Sequence, residues 1–184
     1  MRNKNKTPLI LFFILGLVAS FYAKEIRQAF DAFVRAVAPT LFQVVQRYSG
    51  QQSTAELQDA LDASGQRISQ KLMGVQPIKH NYYKLRHMIG IEKWGQSRLR
   101  VALGEPFVME EYNGHLPPIG LSWNELQDLF AETRAQTIAI ASEIQLNDSY
   151  HSYRILHNQF GELPVDGWLT YLRVHADGEF MQMR

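Results

Sequence analysis

Residues 166–183 read DGWLTYLRVHADGEFMQM, and the reading of that stretch decides the fold. It holds no proline, and its apolar residues recur at helical spacing: Trp168, Leu172 and Met183 fall on one side of a helical wheel, with Arg173 and Asp177 opposite. The stretch is therefore expected to form the last helix, Asp166 to Met183. His175 and Glu179 stand four residues apart, one turn apart on the same face, at the edge of the apolar stripe. An imidazole and a carboxylate so placed can share a metal ion; on a solvated face the same pair is only a surface contact.

Three further helices are expected upstream. Ser53-Thr54-Ala55-Glu56 has the S-x-x-E capping-box pattern and opens a helix running towards Met73, with Leu57, Leu61, Ile68 and Leu72 on its apolar side. Gly65 weakens its middle by about 1 kcal/mol relative to Ala, and Gly74 and Pro77 end it. Asn81 is expected to cap a second helix from Tyr82 to Leu103, whose apolar arc contains Tyr83, Leu85, Met88, Ile89, Ile91, Trp94 and Val101. His87 points into that arc or to its margin. Ser122 to Glu125 is a second capping box, with Leu121 and Leu126 as its hydrophobic staple, so a third helix starts at Trp123 and runs to about Leu146.

Gly104 to Gly120 form a long connection in which Asn113-Gly114 and Pro117-Pro118 forbid regular structure. Its aromatic and aliphatic content argues for order, with Tyr112, Asn113 and His115 placed to line a pocket or to satisfy loop backbone. Tyr150 to Pro164 is polar and reads as irregular. Four helices, one crossover loop and no strand pattern of note make an all-α chain, a four-helix bundle with an N-terminal hydrophobic helix.

That N-terminal helix is the clearest local signal. Arg2, Lys4 and Lys6 precede an uncharged run at residues 8–23 that Lys24 closes. The run is short for a bilayer span, roughly 17 to 25 residues, and long for a signal-peptide core, roughly 7 to 15. Residues 1–23 are read as an uncleaved anchor in preference to a cleaved signal peptide; a buried core helix is the alternative. The basic lead places the domain on the non-cytoplasmic side, exported and attached to the membrane through residues 8–23. Residues 24–52 form an amphipathic helical linker with a boundary at Ser49-Gly50-Gln51-Gln52, and residues 53–184 are the domain.

Composition removes several function classes. The formal net charge is +1 and no basic stripe is interleaved with aromatics, so nucleic acid is not an expected partner. There is no cysteine, which excludes a thiolate nucleophile, a disulfide framework and Cys-ligated zinc. Any metal must be held by His, Asp or Glu.

Three segments carry a family resemblance: KLRHMIGIEKWGQSRLRVALGEPFVMEEYN (84–113), HNQFGELPVDGWL (157–169) and LTYLRVHADGEFMQMR (169–184). They resemble the second helix and loop, the approach to the last helix, and the closing helix of the DinB-like superfamily of four-helix bundles, in the branch of YfiT and the bacillithiol transferases. The resemblance covers about residues 53–184. It implies His87 as the first metal ligand, His175 as the second and Glu179 in place of a third ligand that is usually His. Two His and one carboxylate form a three-ligand site suited to Zn, Ni, Mn or Fe. The carboxylate lowers the charge at the metal by one unit and leaves a retuned and a decayed site both open.

The implied activity is a thiol-dependent transferase or metal-dependent hydrolase acting on a small-molecule substrate, with Tyr112 and His157 as substrate-binding residues. The catalytic residues stay unassigned, and a homodimer stays open. Small-thiol cofactors are cytoplasmic, whereas the charge bias sends this domain outward. The alternative is therefore a non-enzymatic, membrane-tethered binding or structural module with a degenerate metal site.

Overall fold

The computed structural model describes residues 52–146 and 150–184. The anchor at residues 8–23, the amphipathic linker behind it and the expected localisation lie outside the described residues. Among the described residues, no helix is long and apolar enough to cross a membrane.

Four α-helices dominate: α1 (Thr54–Leu72), α2 (Lys79–Arg100), α3 (Trp123–Gln145) and α4 (Val165–Met181). Both capping boxes form as the sequence predicts. The Ser53 hydroxyl accepts from the Glu56 backbone N–H while the Glu56 carboxylate accepts from the Ser53 N–H, and Ser122 and Glu125 repeat the exchange at the head of α3. Each exchange satisfies two N–H groups that a helix start otherwise leaves unpaired.

Asn81 corrects the reading of α2. The helix begins earlier, behind Ile78, with no side-chain cap. Asn81 is its third residue and is fully buried: its amide donates to the Gln76 carbonyl (2.8 Å) and the Arg184 carbonyl (2.6 Å) and accepts from the Arg184 N–H (3.1 Å). A short amide that looks like a cap instead fastens residue 184 to the start of α2. His80 Nε2 adds a contact to the Gln182 carbonyl at 3.0 Å.

α1 and α2 each pack on both α3 and α4, so the helices form a ring in the spatial order α1, α3, α2, α4. The core between them is continuous, from Ile68 and Leu72 through Leu85, Met88 and Ile89 to Leu126, Phe130 and Ala176. Two glycines set close approaches. A Cβ on Gly95 would lie 2.5 Å from Leu172 Cδ2, and one on Gly65 would lie 2.6 Å from Arg134 Cγ. Gly95 therefore lets α2 and α4 come together, and Gly65 offsets its propensity cost by admitting an arginine stem.

The connection from Gly104 to Gly120 folds back along α2. Trp94 Nε1, Arg98 Nη2 and Asn158 Nδ2 all donate to the Glu110 carbonyl, at 3.2, 3.0 and 3.0 Å, and Arg86 donates to the Pro117 carbonyl at 2.6 Å. The loop is thus ordered, as its aromatic content argued.

The segment read as irregular contains a hairpin. β1 (Arg154–His157) pairs antiparallel with β2 (Gly161–Pro164) in the register Ile155 with Leu163 and His157 with Gly161. Ile155 and Leu163 are buried, and Trp168 Nε1 donates to the Ile155 carbonyl at 3.1 Å. Strands of four residues are too short to show alternation against a polar background. Three of their residues, Ile155, His157 and Leu163, are buried ahead of α4.

Candidate metal centre

The α2–α4 seam brings together the three residues singled out as ligands. His87 projects from α2, and His175 and Glu179 from successive turns of α4. The two imidazole rings are 5.0 Å apart, and one ligand atom from each of the three residues lies within 4.8 Å of the others. Neighbouring ligands on a zinc-sized ion are about 3–3.5 Å apart, given bonds of about 2.0–2.2 Å. Side-chain adjustments of an ångström or so separate this arrangement from a coordination set.

Electrostatics favour neutral nitrogens. Burial lowers the pKa of His175 to about 3, helped by His87 and opposed by Glu179. Burial lowers His87 as well, against the pull of Glu179. Both rings keep a free lone pair at neutral pH, the form in which imidazole binds a metal. Burial on its own would raise the Glu179 carboxyl. Coupling to His175, the hydrogen bond from Lys84 and coupling to His87 together bring it below the ordinary carboxylate value, and with both rings uncharged at neutral pH the Lys84 ammonium is the cation that faces the ionised carboxylate.

Aromatic side chains frame the cluster. Tyr83 stacks on His87 at 6.2 Å, Tyr112 meets His87 edge-on at 4.8 Å, and Tyr171 lies 5.7 Å from His175. Tyr112 thus stands beside the candidate ligands and brings the crossover loop to them. Burial, with Tyr83, Glu111 and Glu179 adding to it, raises the Tyr112 phenol, which keeps its proton at neutral pH. His115 is occupied elsewhere, 3.1 Å from Glu110 Oε1.

His157 sits one aromatic layer away. Its ring is boxed by Trp94, Phe160, Trp168 and Tyr171 at 4.4–5.1 Å, and Tyr171 stands between it and His175. Its Nδ1 accepts from the backbone N–H groups of Gln159 and Phe160, which puts the ring proton on Nε2. Nε2 is buried without a hydrogen-bond partner.

Lys84 and Tyr171 escaped the sequence reading. Tyr171 had a signal: it extends the His175–Glu179 spacing one turn back. Lys84 had only half of one. It lies one turn before His87, but its partners, Glu179 Oε2 at 2.7 Å and Gln182 Oε1 at 2.8 Å, lie on and just past another helix.

Comparison with protein-family models, with curated proteins and with solved structures finds no match to this chain. The DinB-like resemblance rests on the three segments that carry it.

Proposed function

We propose that residues 53–184 form a DinB-like four-helix bundle that binds a divalent metal through His87, His175 and Glu179 and uses it as a thiol-dependent transferase or a hydrolase. The convergence of those three donor atoms within 4.8 Å, from two different helices, carries this reading. The donor set fits Zn²⁺, Ni²⁺, Mn²⁺ or Fe²⁺: two neutral imidazoles and one ionised carboxylate, with no fourth His, Asp or Glu in the cluster among the described residues.

A bound ion of this kind supplies Lewis-acid chemistry, lowering the pKa of a thiol or water or polarising a carbonyl. The protein's share is positioning. Tyr112, protonated and next to His87, donates a hydrogen bond to a substrate oxygen or sulfur beside the ligands. The crossover loop, pinned at the Glu110 and Pro117 carbonyls, walls the same side of α2 and limits water. The test is elemental analysis of the purified chain with and without chelation. About one transition-metal ion per chain, lost in His175→Ala, is expected; no bound metal and no change of stability on chelation would sink the reading.

One contact favours a second reading. Lys84 satisfies Glu179 at 2.7 Å without any ion, as in a site that has lost its metal and remains as a structural ion pair in a binding module. The same metal analysis separates the two.

A further inference from the structure

Resting on the metal reading above, we propose that Lys84 is the positioning residue of the centre, holding one oxygen of Glu179 and cancelling its charge so that the ligand set acts as if it were three neutral donors. Lys84 Nζ donates to Glu179 Oε2 at 2.7 Å and to Gln182 Oε1 at 2.8 Å, and only 13% of its side chain is exposed. Glu179 on α4 and Gln182 just past its end both hold the ammonium. With Oε2 taken, Oε1 is the oxygen left for an ion, so Glu179 offers one donor atom rather than two.

The charge consequence follows. A bare carboxylate would subtract one unit from the centre and favour hard, oxygen-loving ions at higher coordination number. The ammonium returns that unit at hydrogen-bond distance, where the surroundings are partly desolvated and the interaction is screened less than at a surface. The centre thus keeps the electron-poor character of a three-imidazole set while using a carboxylate. Ligating carboxylates are commonly oriented by a hydrogen bond from outside the coordination sphere, and loss of such a partner typically changes metal affinity 10- to 100-fold.

The experiment loads the full chain with Co²⁺ and follows its visible spectrum, alongside competition between Zn²⁺ and Mn²⁺, for the unaltered protein, Lys84→Met and Lys84→Arg. In Lys84→Met both carboxylate oxygens become available: cobalt absorption falls as coordination number rises, and the Mn²⁺ to Zn²⁺ affinity ratio rises roughly tenfold or more. Lys84→Arg, which keeps a charged donor, returns both readouts towards the unaltered protein. Gln182→Leu, which removes one anchor and spares the charge, shifts them in the same direction by less, and serves as the test should Lys84→Met not fold. An unchanged cobalt spectrum and an unchanged ion ratio in a folded Lys84→Met or Gln182→Leu protein overturn the role of Lys84 and leave the metal centre standing. Failure of the unaltered chain to bind any of the three ions overturns the metal centre itself.

Discussion

Helix α2 carries polar side chains into the helical core on two faces, and the two clusters are closed in opposite ways. Towards α3, Glu92 meets Arg134 at 2.8 Å, Arg134 also donates to the Leu61 carbonyl at 3.2 Å, and Gln96 donates to the Thr133 carbonyl and the Thr137 hydroxyl. Towards α4, His87 faces His175 and Glu179, and a cation, Lys84, is paired with Glu179. The first cluster is an ion pair sealed from solvent, in which Glu92 Oε2 holds Arg134 while Glu92 Oε1 and Arg134 Nε find no hydrogen-bond partner. The second holds two imidazoles that burial keeps neutral, with lone pairs that nothing in the cluster can protonate at pH 7. Burial of polar groups alone does not mark a candidate site; what sets the second cluster apart is that two neutral imidazoles meet a carboxylate, the donor set of a possible metal centre.

The sharpest way to break that contrast is to remove half of the sealed pair. Arg134→Met leaves Glu92 buried and uncompensated, and is expected to cost about 3–5 kcal/mol in urea denaturation. Replacing both partners, Glu92→Leu with Arg134→Met, recovers most of it, because two desolvated charges vanish together. Neither variant changes metal content per folded chain. A loss of metal in the folded fraction would mean that the two faces of α2 are coupled.

The faces also respond oppositely to acid. His157 and His175 titrate near 3 in the folded chain against about 6.5 when unfolded. The unfolded chain therefore binds more protons between those values, and the metal-free protein loses stability as pH falls from about 6.5 towards 3. Burial raises the Glu92 carboxyl, partly offset by Arg134, so its contribution runs the other way and stability gains from its protonation. The histidine effect is expected to dominate, on the order of a few kcal/mol across the window. His157→Phe fits the aromatic box and should flatten the stability-against-pH curve between pH 6.5 and 4.5; an unchanged slope would show that His157 is not desolvated as described.

How far the sequence was legible follows the same division. The capping boxes at Ser53 and Ser122 are local chemistry, and both helices begin where those residues stand. The His175 and Glu179 spacing is local too, and periodicity placed His87 at the margin of its apolar arc. Asn81 misled because a cap and a long-range amide clamp use the same residue type. The hairpin at Arg154–Pro164 lacked enough residues to show a period. Glu92 with Arg134, and Lys84 with Glu179, join residues 42 and 95 positions apart, and no spacing rule reaches across helices.

Metal should stabilise only the α4 side. A ligand that binds the folded state alone adds RT ln(1 + [L]/Kd), about 2.7 kcal/mol at a hundred times Kd. Zinc is expected to raise the melting temperature of the unaltered chain and of Glu92→Leu with Arg134→Met, and to leave His175→Ala unmoved. Equal stabilisation of His175→Ala would place the ion somewhere other than this cluster.

The smallest expected effect tests how each seam is held together. Gly95 faces Leu172, three residues before His175 on α4, whereas Gly65 faces the stem of Arg134. Alanine at either position gains about 1 kcal/mol of helix propensity and meets an overpacking cost of about 1–3 kcal/mol, so each variant should lose on the order of 1 kcal/mol. Stability alone does not tell them apart. Metal affinity does: Gly95→Ala pushes Leu172 back and widens the gap across which His87 must reach His175 and Glu179, whereas Gly65→Ala strains only the arginine that holds Glu92. Zinc binding should therefore weaken in Gly95→Ala and stay constant in Gly65→Ala at matched loss of stability. If both glycine variants weaken it equally, the core deforms as one body, and the two faces of α2 are not the independent structures their hydrogen bonds describe.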